Sequence, residues 1–399
     1  HMILRGVVMF VAYAAYYLSF ITGAWIIQSL RFRHGYGSVQ DFLADRFGIA
    51  GTTSYNFVVG VRLISEIFAN LLVIGLLFGA LGTYSYTASI IIVGGVTLAY
   101  SLLGGLHASI RTDAMQMSIF LLVLVILLVV VFLSPSFDLA AIARSTPEAD
   151  NPGWILLAVA ALQIWSYPMH DPVMMDRGFV ADRQTTIGSF YHAGWISTLC
   201  ILAFGLIGVW AGLEKLPNED FTTSLERLIG LWPMLMFNAT LVISCMSTLD
   251  STFSSTAKLA IIDMKLAPPT INNGRFAMLA FLLGGLLMVF FGSKDLFAAV
   301  AVSGTASLFL APVIFFSLWM GREDIPVWSY LIAFFTAMAA ALLYFTETSG
   351  YSNIINILTG IEQKYTKLLF LSAVALFVGC GAFLVGMFFY PRTARSANI

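Results

Sequence analysis

Ser118-Ile119-Phe120-Leu121-Leu122-Val123-Leu124-Val125-Ile126-Leu127-Leu128-Val129-Val130-Val131-Phe132-Leu133 is a run of sixteen residues with one hydroxyl and no charge. With its flanks it covers about 113–134, enough for a helix to cross a hydrocarbon core, which takes about 20 residues. A helix that is apolar all round has no face for water and belongs inside a large core or a membrane. The rest of the chain decides between the two. Of 399 residues 59% are hydrophobic and 10% charged, against about 25% charged in an ordinary soluble domain. That much apolar surface requires lipid as its solvent.

Working outward from this run gives eleven apolar stretches, near residues 3–30, 54–80, 84–104, 113–134, 153–175, 188–213, 231–257, 275–292, 295–320, 326–346 and 367–391. The linkers are too short for a second domain. The expectation is an all-α membrane protein in which 1–399 form one transmembrane domain, with core helices over about 3–320 and two further helices over about 326–391. Cys200, Cys245 and Cys380 lie apart in apolar runs and fit neither a disulfide framework nor a metal cluster. The net charge is -1 and no basic stripe is present, so nucleic acid is not an expected partner. His1-Met2 reads as a cloning scar, and no cleavable signal peptide follows.

Orientation follows from Lys and Arg in the loops. One alternate set holds Arg31, Arg33, Arg46, Arg111, Arg177, Arg183, Lys258, Lys265, Arg275, Arg322, Arg392 and Arg395; the other holds Arg5, Arg144, Lys215, Arg227, Lys294, Lys364 and Lys367. Twelve against seven places the first set, and the C-terminus, in the cytoplasm. The other loops carry Glu214, Glu219, Asp220 and Glu226. The N-terminus then falls outside, which without a signal peptide implies either a missing earlier helix or a count off by one.

Ionisable residues inside hydrocarbon are costly and invite a functional reading. Four places stand out. In the seventh stretch, Ser244, Ser247, Thr248, Ser251 and Ser255 fall on one helical face with Asp250 at its edge. These are hard oxygen ligands suited to Na⁺ or to a proton path; helix packing through small residues is the alternative. At Gly104-Gly105-Leu106-His107-Ala108-Ser109-Ile110-Arg111-Thr112-Asp113-Ala114-Met115-Gln116 a cytoplasmic loop is expected to turn into the fourth helix. Thr112 or Asp113 would cap it, or Asp113 would share an ion site with Asp250. In the fifth stretch, Pro168 and Pro172 in Trp165-Ser166-Tyr167-Pro168-Met169-His170-Asp171-Pro172 break the helix. Such breaks line cavities and form transporter binding sites, with Trp165 and Tyr167 available to stack on a solute; a plain kink or a helix end is the alternative, and His170 alone reads as a packed histidine. In the second stretch, Arg62 and Glu66 have the i,i+4 spacing of a structural pair. The alternative puts the guanidinium of Arg62 on a solute carboxylate. No Walker, H-E-x-x-H or G-x-S-x-G motif occurs.

Four stretches together resemble the sodium:solute symporter family, which includes sodium/proline, sodium/glucose and sialic acid symporters. They are Ser38-Val39-Gln40-Asp41-Phe42-Leu43-Ala44-Asp45-Arg46-Phe47-Gly48; Tyr100-Ser101-Leu102-Leu103-Gly104-Gly105 with Thr112-Asp113 and Gln116; Asp171-Pro172-Val173-Met174-Met175-Asp176-Arg177; and Met246-Ser247-Thr248-Leu249-Asp250-Ser251. They occur in the family's order over about 36–265. The resemblance implies the leucine-transporter-type fold, two inverted five-helix repeats with flanking helices. It implies that Ser244 (through its carbonyl), Ser247 and Thr248 form half of the principal sodium site. It also implies that Asp113, Ser247, Asp250 and Ser251 match a second sodium site seen in some members. Asp250 stands where some relatives have Ser, which leaves the ion count open. Arg62 matches a position that binds substrate carboxylate in a sialic acid symporter, while sugar-transporting relatives have Lys and Asp in the places of Arg62 and Glu66.

The first stretch resembles the family's second core helix, so the first core helix and one before it are expected to be absent, through the start codon chosen or through cloning. The implied function is Na⁺-coupled import of a small organic solute by alternating access, without enzymatic turnover. The implied solute-site residues are Arg62, Glu66, Trp165, Tyr167, His170 and Asp171. A monomer is expected in the bacterial inner (plasma) membrane. The alternatives are a solute sensor without net transport and an enzyme using His170 and Asp171 as an acid/base pair.

Overall fold

The computed structural model describes residues 6–145, 151–219, 221–291 and 296–389, the side chains at 105–108 and 296–300 apart. Arg5, Asp220, Lys294, Arg392, Arg395 and the His107 side chain lie outside the described residues. The described residues are helices joined by turns, with no strand among them. Ten of the eleven expected stretches are helices long and apolar enough to cross a membrane: Val7–Arg33, Val39–Phe78, Tyr84–Gly104, Ser109–Phe132, Arg183–Leu213, Leu231–Asp263, Ile271–Phe291, Ala301–Trp319, Val327–Thr348 and Lys364–Phe389. They keep their expected ordinals below, from first to eleventh, with the fifth reserved for the stretch that is not continuous.

That fifth stretch is three pieces, Pro152–Gln163, Tyr167–His170 and Pro172–Arg177. Pro168 has no N–H to give the turn before it, and Pro172 disfavours the helical region for Asp171. Asp171 is accordingly extended (φ -96, ψ 97), and its side chain accepts from the Met174 N–H to start the next piece. The helix breaks where the prolines put the break.

Two boundaries differ from the sequence reading. The second helix begins at Val39, fifteen residues early, and turns at Gly48, whose φ of 61 and ψ of -144 suit glycine alone. The expected loop before Asp113 is helical as well: hydrogen-bonded helix covers Tyr84–Phe132, 49 residues. On a straight helix Ser101 and Thr112 would stand about 17 Å apart, yet both hydroxyls bond the one Asp250 carboxylate, so the run turns between the spans Tyr84–Gly104 and Ser109–Phe132. Asp113 stands in the first turns of the span Ser109–Phe132, and its carboxylate accepts from Ser247 and Ser251 of the seventh helix.

The chain forms two compact units. One comprises His1–Ala15, Leu63–Leu157 and Trp195–Lys294. Here the seventh helix packs along the third and fourth, and Val123, Leu127, Val131, Trp210, Leu225 and Phe237 belong to one buried cluster. Without a hydrophobic drive between helices in lipid, close packing carries their association. Exposed Tyr84, Trp154 and Trp232 stand in the first turns of the third, fifth and seventh stretches, the same end of odd-numbered spans, as an interfacial aromatic belt requires. The other unit comprises Tyr16–Arg62, Ala158–Gly194 and Asp295–Ile399. Its tenth and eleventh helices pack against each other, and Phe47 stacks on Tyr330 at 4.4 Å between ring centroids.

Three helices end in the same way. The first, seventh and ninth finish in π-helical turns, Gln28–Arg33, Leu259–Asp263 and Val313–Trp319. Each is closed by a pair of wide backbone bonds: His34 N–H to Ser29 O and Tyr36 N–H to Leu30 O; Met264 to Leu259 and Leu266 to Ala260; Met320 to Phe315 and Arg322 to Phe316. The residue inside each pair is left-handed: Gly35, Lys265 and Gly321. Lys265 (φ 54) alone pays for its Cβ. Lys265→Gly is expected to raise the apparent melting temperature in detergent, a gain of about 1 kcal/mol, while Lys265→Ala is expected not to; equal effects of the two would contradict the strain.

Candidate cation site and broken helix

The seventh helix carries its hydroxyls at three- and four-residue spacing, so they share a face. Several also bond their own backbone: Thr248 Oγ1 donates to Ser244 O at 3.1 Å and Thr252 Oγ1 to Thr248 O at 2.7 Å. The Ser244 carbonyl and the Thr248 hydroxyl are thus adjacent oxygens, with Ser244 exposed.

Across from this face, Asp113 receives two of the hydroxyls. Ser247 Oγ donates to Asp113 Oδ1, and Ser251 Oγ donates to Oδ2 at 3.1 Å. Asp250, 2% exposed, lies at the edge of the hydroxyl face. There it accepts from Ser101 Oγ at 2.6 Å and from Thr112 Oγ1 at 3.3 Å. Ser109 Oγ lies 3.3 Å from Ser251 Oγ and joins the two groups. Tyr100 OH donates to Met246 O at 3.2 Å, holding the third helix to the seventh.

Each carboxylate is therefore served by two hydroxyl donors. A hydroxyl lends a dipole but no charge, so these donors leave the negative charge of the carboxylate in place. A hydroxyl also keeps lone pairs and can rotate to present them. The set offers hard oxygens at several angles, suited to an alkali cation. Among the described residues no group of three or more His, Cys, Asp and Glu converges in the manner of a transition-metal site.

The structure brings together Asp113, Ser247 and Ser251, the set that the family resemblance named, and keeps Asp250 in the same network through Ser109. Ser101 and Ser109 were not singled out from sequence. Ser109 could have been, since it precedes Asp113 by four residues on the same helical face; Ser101 becomes a partner only through the packing of two helices.

The solute candidates, apart from Glu66, lie in the other unit. Arg62 is 8% exposed and donates to Tyr167 OH at 3.2 Å and to Asp171 Oδ2 at 3.4 Å. The spacing pointed to Glu66 as its partner; the fold adds Asp171, 109 residues away. Glu66 Oε1 accepts from Asn70 Nδ2 at 3.5 Å. Trp165 packs its ring edge-on to Phe315 and Trp319, at 5.8 and 6.3 Å. His170 is fully buried. Its Nδ1 donates to Tyr167 O at 2.7 Å, and Nε2 faces Ser303 Oγ at 3.2 Å. Both ring nitrogens are occupied, so His170 acts as a packed staple, as its isolated position suggested.

The carbonyls released by the break also find protein donors. Thr22 Oγ1 reaches Ile164 O at 2.6 Å and Tyr55 OH reaches Met169 O at 2.7 Å. Gln163 is held by Tyr16 OH at 3.0 Å and donates to Ser372 Oγ at 3.2 Å. A Cβ on Gly304 would fall 2.6 Å from Gln163 Oε1, so glycine is needed there. Backbone at membrane depth must satisfy its polar groups internally; the break is a built feature of the fold.

Broken spans and intramembrane carboxylates recur in secondary transporters. The model of the sodium:solute symporter family matches residues 4–176, confirming over that stretch the resemblance that the motifs carry. A solved structure described as the substrate-bound outward-open state of a Na⁺-coupled sialic acid symporter is similar with a TM-score of 0.64 and 12% identity, over 96% of this chain and 88% of that one. Another, of MHP1, a nucleobase-cation-symport-1 family transporter in a closed conformation with bromovinylhydantoin bound, has a TM-score of 0.58 and 13% identity, over 96% and 86%. At such identities the likeness speaks for the fold, which is of the leucine-transporter type. No curated protein matches the chain.

If the Asp113 cluster takes Na⁺, NaCl is expected to raise the melting temperature of the purified chain above that in equal KCl. Asp113→Asn and the Ser247→Ala, Ser251→Ala pair are each expected to erase the difference. A sodium shift that survives Asp113→Asn would rule this cluster out.

Proposed function

We propose that this chain is a Na⁺-coupled symporter that imports a small organic solute by alternating access. Asp113 and the two serine hydroxyls it collects, inside lipid-crossing helices, are the observation that carries the reading. Na⁺ at Asp113, Ser247, Ser251 and Asp250 would match charge against the carboxylates, and the Ser247 and Ser251 hydroxyls would turn their lone pairs to the ion. The Ser244 carbonyl and the Thr248 hydroxyl supply part of a further Na⁺ position. Inward movement of each Na⁺ releases about 2.3 kcal/mol per 100 mV, in addition to its concentration term.

The broken fifth stretch is the proposed solute site. Arg62, Tyr167 and Asp171 provide a cation, a phenol and an acid, with Arg62 within hydrogen-bond reach of both others, and Trp165 completes the proposed set. His170 supports the site by holding the Tyr167 carbonyl and is not itself a solute ligand. The proposal places the chain in a bacterial plasma membrane as a monomer; the excess of Lys and Arg in alternate loops supports a cytoplasmic C-terminus.

The test is uptake into proteoliposomes from a panel of radiolabelled amino acids, sugars and carboxylates under an inward Na⁺ gradient. Uptake of at least one solute is expected to collapse when K⁺ replaces Na⁺, and to fall about tenfold or more in Ser247→Ala, Thr248→Ala, as the loss of about 1.4 kcal/mol would give. Uptake indifferent to the cation would overturn sodium coupling.

A further inference from the structure

The connection between the tenth and eleventh helices has an unusual composition for a loop. From Thr348 to Ile361 no residue is charged, and the stretch contains Tyr351, Ile354, Ile355, Ile357, Leu358 and Ile361. It folds into a single short helix, Ile354–Thr359, closed by Gly360 in the left-handed region. Ile355 points inward and is buried, while Tyr351 (80% exposed), Ile357 (78%), Leu358 (75%) and Ile354 (46%) point outward. Ile354, Ile357 and Leu358 have the i, i+3, i+4 spacing of one helical face.

The backbone of this tip has partners within the chain. Tyr351 N–H donates to Thr346 O at 2.8 Å, Ile357 N–H to Asn353 O at 3.0 Å and Gly360 N–H to Asn356 O at 2.8 Å. The first turn of the short helix is fixed by Glu347, whose Oε1 accepts from the Ile355 N–H at 2.8 Å. Lys367 Nζ donates to the other oxygen of the same carboxylate at 2.5 Å, and both side chains are buried. The two buried charges at the tip's base thus neutralise each other, and one of them pins the tip to the ends of the two long helices.

We propose that Tyr351–Leu358 is a lipid-embedded anchor, seated in the bilayer leaflet at the N-terminal end of the eleventh helix. A water-facing loop with four large exposed apolar side chains would be an aggregation liability; a segment whose polar backbone groups are paired and whose ion pair is closed can enter the headgroup–acyl boundary. The occupant is lipid, not a second copy of the chain, because the patch continues the bilayer-facing surface of its own helices: Phe335, Leu342 and Phe345 on the tenth and Phe370 and Phe377 on the eleventh are exposed in the same way. Exposed Glu362 and Lys364 mark the return to water. The anchor would fix the depth of these two helices in the membrane.

The test uses the full chain with Cys200, Cys245 and Cys380 replaced by alanine and a single Ile357→Cys carrying an NBD fluorophore, in phosphatidylcholine vesicles at low protein-to-lipid ratio. NBD emission is expected to be blue-shifted, quenched by lipid bearing a nitroxide near the headgroup and shielded from aqueous iodide. Phe377→Cys and Lys364→Cys serve as lipid and water references. Adding Glu347→Gln is expected to move the Ile357 label toward the water reference. Iodide quenching equal to that at Lys364→Cys would overturn the proposal. So would shielding that disappears on dilution with lipid, the mark of a second copy covering the patch.

Discussion

A carboxylate inside hydrocarbon must be given polar company, and this chain does so twice with hydroxyls. Asp113 draws Ser247 and Ser251, and Asp250 draws Ser101 and Thr112. Both acids thereby tie the seventh helix to the third and fourth. The arrangement therefore fixes helix register and at the same time creates a negatively charged, oxygen-rich place of the kind an alkali cation occupies. A permanent lysine in the same place would serve packing equally well but would leave nothing for an ion to do. The hydroxyls solve the packing problem while keeping the charge available.

The broken fifth stretch meets the same constraint with backbone groups instead of side-chain charge. Prolines 168 and 172 release carbonyls that water cannot reach, and Thr22, Tyr55 and His170 take them up. Arg62 closes on Asp171 and Tyr167 nearby. Thr22, Tyr55 and Arg62 reach these groups from helices more than a hundred residues away in sequence.

That distance explains what was legible beforehand. Run length alone located ten spans, because hydrocarbon thickness sets helix length whatever the packing. The break at Pro168 and Pro172 was legible because proline acts locally. The hydroxyl face of the seventh helix followed from periodicity. The turn after Gly104-Gly105 was legible, although hydrogen-bonded backbone continues through it; what no local pattern supplies is the pair of seventh-helix hydroxyls on Asp113. Arg62 was assigned to Glu66 because i,i+4 is the only partner a local pattern can offer; Asp171 arrives through folding. The π-helical ends left glycine as their trace at Gly35 and Gly321, and at Lys265 no trace at all.

The most direct measurement is equilibrium binding of radioactive ²²Na⁺ to the purified chain and to its Asp113→Asn variant. Saturable binding, displaced by unlabelled Na⁺ but not by K⁺ and lost in the variant, is the predicted result. Binding of equal stoichiometry and affinity in both proteins would contradict the assignment of the ion to this carboxylate.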